Sequence, residues 1–316
     1  MSHNAGRHQP VASSDEPLST LRRAVVEFAR SASTEISTHD EHLLGELALR
    51  LPAGMTVYVA HTPKASLEDV VRVALQAQAA GFTASPHLVA RRLPSERALR
   101  DALARLREHG IEQALLVAGD LDRPLGPFTS TLDVIASGAL QEAGLKRVGF
   151  AGHPEGHPAV GHAQLLSALQ AKQQFAQRSG IAVHIVTQFG FNPEGVCAWD
   201  RMLAQESIAL PVHVGMAGPT SLTKLLKFAV QCGIGTSANS LRRSPGAVAG
   251  LTGFAIGPEQ MLLGLVKGRA AYPGSRLIQP HVYALGGALA SAAWLNRMMA
   301  GAFELTPDGG RLTLTP

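Results

Sequence analysis

Cysteine is nearly missing from this sequence, with Cys197 and Cys232 the only two among 316 residues. Two thiols without metal-ligand spacing argue against a disulfide framework or a structural zinc site, and a reduced, cytoplasmic setting is expected. Long apolar runs are missing too. No stretch approaches the roughly 20 residues needed to span a bilayer, and the polar N-terminus has no signal-peptide core, so no membrane association is expected. Charge is sparse: Asp, Glu, Lys and Arg make up 16% of the chain, with a formal net charge of +4. The arginines Arg91, Arg92, Arg97 and Arg100 are not interleaved with aromatics, which supply only 5% of residues. Surface positions on helices account for them, and no nucleic-acid binding is expected. No Gly-x-Gly-x-x-Gly follows an early strand, which counts against a nucleotide-binding Rossmann unit. No Ser or Cys stands beside a base in a recognisable nucleophile setting, which disfavours covalent hydrolysis.

What is present is a globular composition, 46% hydrophobic, in a chain long enough for one large core or two ordinary ones. Short apolar runs bounded by Gly, Pro and His alternate with amphipathic segments. The runs centre near Glu35, Tyr58, Ser85, Leu116, Gly149, Ile185, His213 and Val282. Eight such units in about 250 residues predict an α/β fold of one domain, a closed (β/α)8 TIM barrel over residues 18–304. Residues 1–17 and 305–316 are expected to be terminal tails. An open α/β sheet is the alternative.

Polar groups stand where nearly every strand ends: Glu35, His61 and Thr62, His87, Asp120, His153 with Glu155 and His157, Gln188, and His213. In a parallel barrel such positions converge on one mouth. Each also has a plainer reading. His87 in Pro86-His87-Leu88 would serve as a core histidine satisfied by backbone, Asp120 as a turn or cap residue, and Glu35 as a solvated side chain. The prolines after His153 and His157 hold both residues extended. No third ligand has metal spacing, so no metal site is expected.

These residues also carry a resemblance. Pro86-His87-Leu88, Gly119-Asp120, Ala151 to Pro158 and Thr187-Gln188-Phe189-x-Phe191 occur in the order and spacing of motifs in the methylenetetrahydrofolate reductases. The chain resembles that family from about Ser33 to Leu295. The resemblance implies a barrel oxidoreductase interconverting 5,10-methylenetetrahydrofolate and 5-methyltetrahydrofolate, with FAD as cofactor and NAD(P)H as electron donor. It implies Glu35 as general acid, with Glu27 a competitor, and Asp120 as a group that binds the pterin and tunes the flavin. Gln188, Phe228 and Lys224 would contact the folate substrate. Thr62, His87, Gly119, Asp120, Phe128, Ala151, His153, His157 and Lys172 would line the flavin site. Several charged family positions have changed, however: Ala118 replaces an Arg, Gln164 an Asp, and Gly287 an Arg. These changes put flavin retention in question and keep two alternatives open, a flavin-free folate carrier or sensor and a folate-dependent methyl-transfer protein. A homo-oligomer is compatible with the sequence.

Overall fold

The structure, a computed structural model, describes residues 15–221, 224, 225, 228 and 258–315. The first fourteen residues, most of the helix expected at 222–231, Cys232 and the glycine-interrupted region up to 257 lie outside them.

Eight parallel strands close into a barrel in sequence order. They are β1 (Ser33–Ser37), β2 (Thr56–Ala60), β3 (Thr83–Val89), β4 (Gln113–Val117), β5 (Arg147–Gly152), β6 (Ala182–Thr187), β7 (Val212–Ala217) and β8 (Leu277–Tyr283). The helices around them are α1 (Asp15–Arg30), α2 (Leu44–Arg50), α3 (Leu67–Ala79), α4 (Glu96–Glu108), α5 (Thr131–Ala136), α6 (Ala139–Glu142), α7 (His162–Ser179), α8 (Pro193–Gln205), α9 (Glu259–Ala270) and α10 (Ala288–Ala300). None of the described helices is long and apolar enough to cross a membrane. Serines set several helix starts: the Ser66, Ser95 and Ser130 side chains accept from backbone amides three residues on.

Strand alternation divides the core in two. Residues such as Ile36, Val57, Val59, Leu116, Val148, Phe150, Ile185 and Val214 face the helices and belong to one continuous apolar cluster. The alternate set faces the barrel axis, and much of it is polar. Tyr58 crosses the interior, its hydroxyl 2.9 Å from His184 Nε2 and 3.5 Å from His213 Nδ1. His184 and His213 stack with ring centroids 4.1 Å apart, and His281 bonds Ser33 Oγ at 2.9 Å. Gly149 makes this possible: a Cβ there would stand 2.7 Å from His184 Nε2 and 2.9 Å from Leu115 Cδ1.

Three expectations are corrected. Residues 305–316 are not merely a tail. Strand β9 (Phe303–Leu305) pairs antiparallel with β10 (Leu312–Leu314), and buried Phe303 and Leu312 anchor the hairpin in the core. Helix α1 begins at Asp15, inside the segment expected to be frayed. The sequence over 131–143 reads as one helix, but it breaks at Gly138, whose φ of 74° starts α6 in the left-handed region.

Candidate active site at the barrel mouth

Glu35 is the inward residue of β1, paired in register with Tyr58 of β2. Its side chain is only 16% exposed, and its carboxyl lies 3.3 Å from His87 Nε2 on β3, itself 13% exposed. Burial raises the Glu35 pKa to about 8, helped by the nearby Asp40 carboxylate. Asp40 is fixed by accepting bonds from the Ser37 amide and hydroxyl at 2.8 and 2.7 Å. Burial, with His61 beside it, lowers the His87 pKa to about 3. Although the distance would suit an ion pair, desolvation on both sides makes the neutral acid facing a neutral imidazole the dominant form near pH 7. The competitor Glu27 is exposed on α1, outside the barrel.

A second polar group forms where β2, β3 and β4 end. Arg92, on the turn after β3, is 9% exposed and donates to Asp120 Oδ1 at 2.8 Å and to the His61 carbonyl at 3.2 Å. The guanidinium holds the Asp120 carboxyl below its usual range. Asp120 itself is 73% exposed and so stands open to a ligand at the mouth. Gly119 has a φ of +93°, and a Cβ there would run into Val89 Cγ1, so only glycine places Asp120 in this way. Arg91 fixes the same loop by donating to the carbonyls of Thr129 and Leu121, both at 2.8 Å. The reading of Arg92 as a surface residue is therefore overturned. Beside them the His61 Nδ1 and Thr62 Oγ1 atoms are buried without a protein hydrogen-bond partner.

The opposite side of the mouth is apolar. Phe189, Ala217 and Leu225 form a buried cluster, with Phe191, Phe228, Tyr283 and Leu285 packed on it. The Tyr283 hydroxyl donates to the Thr187 carbonyl at 3.0 Å across Gly215, where a Cβ would stand 2.8 Å from the ring. Gln188 lies between the two sides and its Oε1 accepts from the Phe189 amide at 3.1 Å. Lys224 is exposed. Leu285, two residues after β8, has a φ of 48°, a left-handed conformation that a leucine adopts at a cost.

On β5 and its loop, Ala151 is half-buried, and the His153 and His157 rings meet edge to face at 5.0 Å. Burial, His157 and Lys172 lower the His153 pKa to about 4. His153, Pro154, Gln188, Phe189, Gly190 and Val196 line a small pocket between the β5 and β6 loops. Of two further positions expected in a cofactor groove, Phe128 lies elsewhere, while Lys172 is near enough for its charge to act on His153 but has its ammonium turned to Phe150. Phe128 is 3% exposed and packs in the helix-facing core, so its ring is spent on anchoring the loop. Lys172, 7% exposed on α7, holds its ammonium 5.1 Å from the centre of the Phe150 ring, in the layer outside the barrel. His213, expected at a strand end, sits near the start of β7 in the barrel interior. Among the described residues no group of three or more His, Cys, Asp or Glu could hold a metal ion.

Residues 40–240, well over half of the chain, match the model of the methylenetetrahydrofolate reductase family. The chain belongs to that family. Family and fold together make it a folate-related barrel enzyme. Solved structures resemble it at low identity. A variant tryptophan synthase α-subunit from the hyperthermophile Pyrococcus furiosus is 12% identical, covers 86% of this chain and 98% of its own, and superposes with a TM-score of 0.50. Dihydropteroate synthase from Thermus thermophilus is 16% identical, covers 85% and 93%, and has a TM-score of 0.43. The first likeness shows the barrel fold and nothing about chemistry.

Compared with the methylenetetrahydrofolate reductase pattern, the mouth keeps an acid, an amide and an aromatic wall but not a dinucleotide's cationic partners. Ala118 and Gln164 are exposed where charged groups were expected, and Gly287 carries no side chain. Arg92 is engaged by Asp120, and the Lys172 ammonium faces Phe150. Among the described residues the donor set therefore does not fit the diphosphate of FAD, which binds through charge-assisted hydrogen bonds.

Proposed function

We propose that the protein interconverts 5,10-methylenetetrahydrofolate and 5-methyltetrahydrofolate, with Glu35 as the acid that opens the five-membered ring. What supports this reading is a carboxyl in the upper barrel interior, 16% exposed and 3.3 Å from His87 Nε2, whose pKa burial raises to about 8, so that it holds a proton at neutral pH. Glu35 gives its proton to the ring nitrogen as the bond from that nitrogen to the methylene carbon breaks. The methylene carbon, now double-bonded to the other nitrogen, accepts hydride and becomes the methyl group. NAD(P)H is the hydride source in this reading. Gln188 and Asp120 are suited to the pterin edge, because an amide presents both donor and acceptor and the ionised Asp120 accepts. Phe228, partly buried against Phe189, offers apolar surface to the ring faces.

The test is to incubate the purified protein with 5,10-methylenetetrahydrofolate and NADH or NADPH, with and without added FAD, and to identify the product. Formation of 5-methyltetrahydrofolate supports the reading. Absence of product under all four conditions, in either direction, refutes it. A second reading, a flavin-free folate carrier or sensor, draws on Ala118, Gln164, Gly287 and the position of Lys172. A flavin spectrum near one equivalent in the purified protein would overturn that second reading.

A further inference from the structure

The buried imidazoles of the barrel interior are not all held alike. His281 is bonded to Ser33 and His184 to Tyr58, whereas His87 Nε2 is buried without an aligned hydrogen bond and approaches Glu35 Oε2 at 3.3 Å. The same holds in reverse, since Glu35 Oε2 is buried with no aligned partner of its own. Two buried polar atoms with no other partner among the described residues, this close, have each other as their means of satisfaction. Around the pair stand Asp40 from the turn after β1, Tyr58 from β2, His61 from the end of β2 and His281 from β8. Tyr58 lies edge-on to both rings, with centroids 6.1 Å from His87 and 4.6 Å from His281. Of these neighbours only Asp40 is a carboxylate, and it disfavours ionisation of Glu35.

We infer that Glu35 and His87 share one proton, and that His87 is a positioning residue that keeps the carboxyl protonated and reloads it after each turnover. This rests on the function proposed above. At rest the Glu35 O–H faces the lone pair of His87 Nε2. When Glu35 gives its proton to the substrate nitrogen, its O–H bond breaks and a carboxylate is left beside that lone pair. The new negative charge raises the basicity of the imidazole, which takes one proton from water. The Nε2–H bond then breaks and the proton returns to Glu35 Oε2, restoring both neutral groups. One proton enters for each one delivered, and no electron moves. Two groups coupled in this way titrate as a pair.

The experiment is a pH titration of the full chain labelled with 15N at histidine, with His87 assigned by loss of its signal in His87→Gln. The expected result is that His87 Nε2 shifts as Glu35 titrates, near pH 8, and that this step vanishes in Glu35→Gln. A His87 signal that is flat across that range, or a step that persists in Glu35→Gln, overturns the proposal. The titration needs no turnover. A coupled step in a protein that fails to turn over folate therefore supports the shared proton while refuting the folate reading. In the turnover assay, His87→Gln removes the acceptor and offers amide N–H groups to the carboxylate. The alkaline limb of kcat should move down by about one pH unit, with KM nearly unchanged. Lower activity with an unmoved limb would mean that His87 only maintains the shape of the site, and would overturn the proposal.

Discussion

Replacing Glu35 by Gln should make the protein more stable while removing its acid. A buried carboxyl whose pKa is about 8 in the folded chain and near 4.5 in the unfolded one is protonated in the fold and ionised in the unfolded state between those values. The unfolded chain thus gains favourable ionisation that the fold cannot match, so the contribution of Glu35 is fully present below pH 4.5 and is lost as the pH rises toward 8. At pH 7 the span is about 2.5 pH units, and at about 1.4 kcal/mol per unit the penalty is roughly 3 kcal/mol. Glutamine has nearly the same shape and nothing to ionise, so Glu35→Gln should recover most of it. For a chain of this size that corresponds to a rise in Tm of about 5 °C. The assay is thermal or urea unfolding of both proteins from pH 4 to pH 9. The difference should be small at pH 4, grow through neutrality and level off above pH 8. A difference that stays flat with pH, or a Gln variant that is less stable at pH 7, would refute the argument that Glu35 is held neutral by burial.

The buried histidines predict the opposite pH dependence. The pKa values of His87 and His213 fall to about 3 and 4, and those of His184 and His281 are pushed well below the usual value, so stability is full above pH 6.5 and is lost as the pH falls. On the Glu35→Gln background, lowering the pH from 7 to 5 should cost about 2 kcal/mol for each of His87 and His213, with His184 and His281 acting in the same direction, read as a falling urea midpoint; an unchanged midpoint would contradict this. Gly119→Ala should cost about 2 kcal/mol and displace Asp120, because the residue has a positive φ and no room for a Cβ; unfolding and folate affinity measure both effects. Tyr283→Phe removes the bond to the Thr187 carbonyl and should lower stability by about 1 kcal/mol in the same assay, leaving the aromatic wall in place.

The barrel was legible because its strands are short apolar runs ended by Gly, Pro or His, and because eight of them recur at barrel spacing. Glu35 and Gln188 were both read as strand-end polar groups; Gln188 does follow β6, whereas Glu35 is the central residue of β1, with its carboxyl turned into the barrel interior. The 3.3 Å approach of Glu35 and His87 was not legible, since the two lie on different strands and only barrel closure joins them. Arg92 was misread because a pair of arginines on a polar loop looks like solvated surface, while its guanidinium is covered by the β2 and β4 loops. The polar barrel axis was hidden for a related reason. His184 and His281 sit in apolar runs that look like ordinary core strands, and the space that admits His184 comes from Gly149, its in-register neighbour on β5. The C-terminal hairpin escaped notice because it buries only a few side chains, Phe303 and Leu312 among them.

The central claim is that Glu35 delivers a proton to a bound folate. Glu35→Gln tests it most directly, with folate affinity and single-turnover rate measured on the same preparation at pH 7. Affinity should stay within a few-fold of the parent protein and the rate should fall by about a hundredfold or more. A Gln variant that binds folate and turns it over at the parent rate would contradict it.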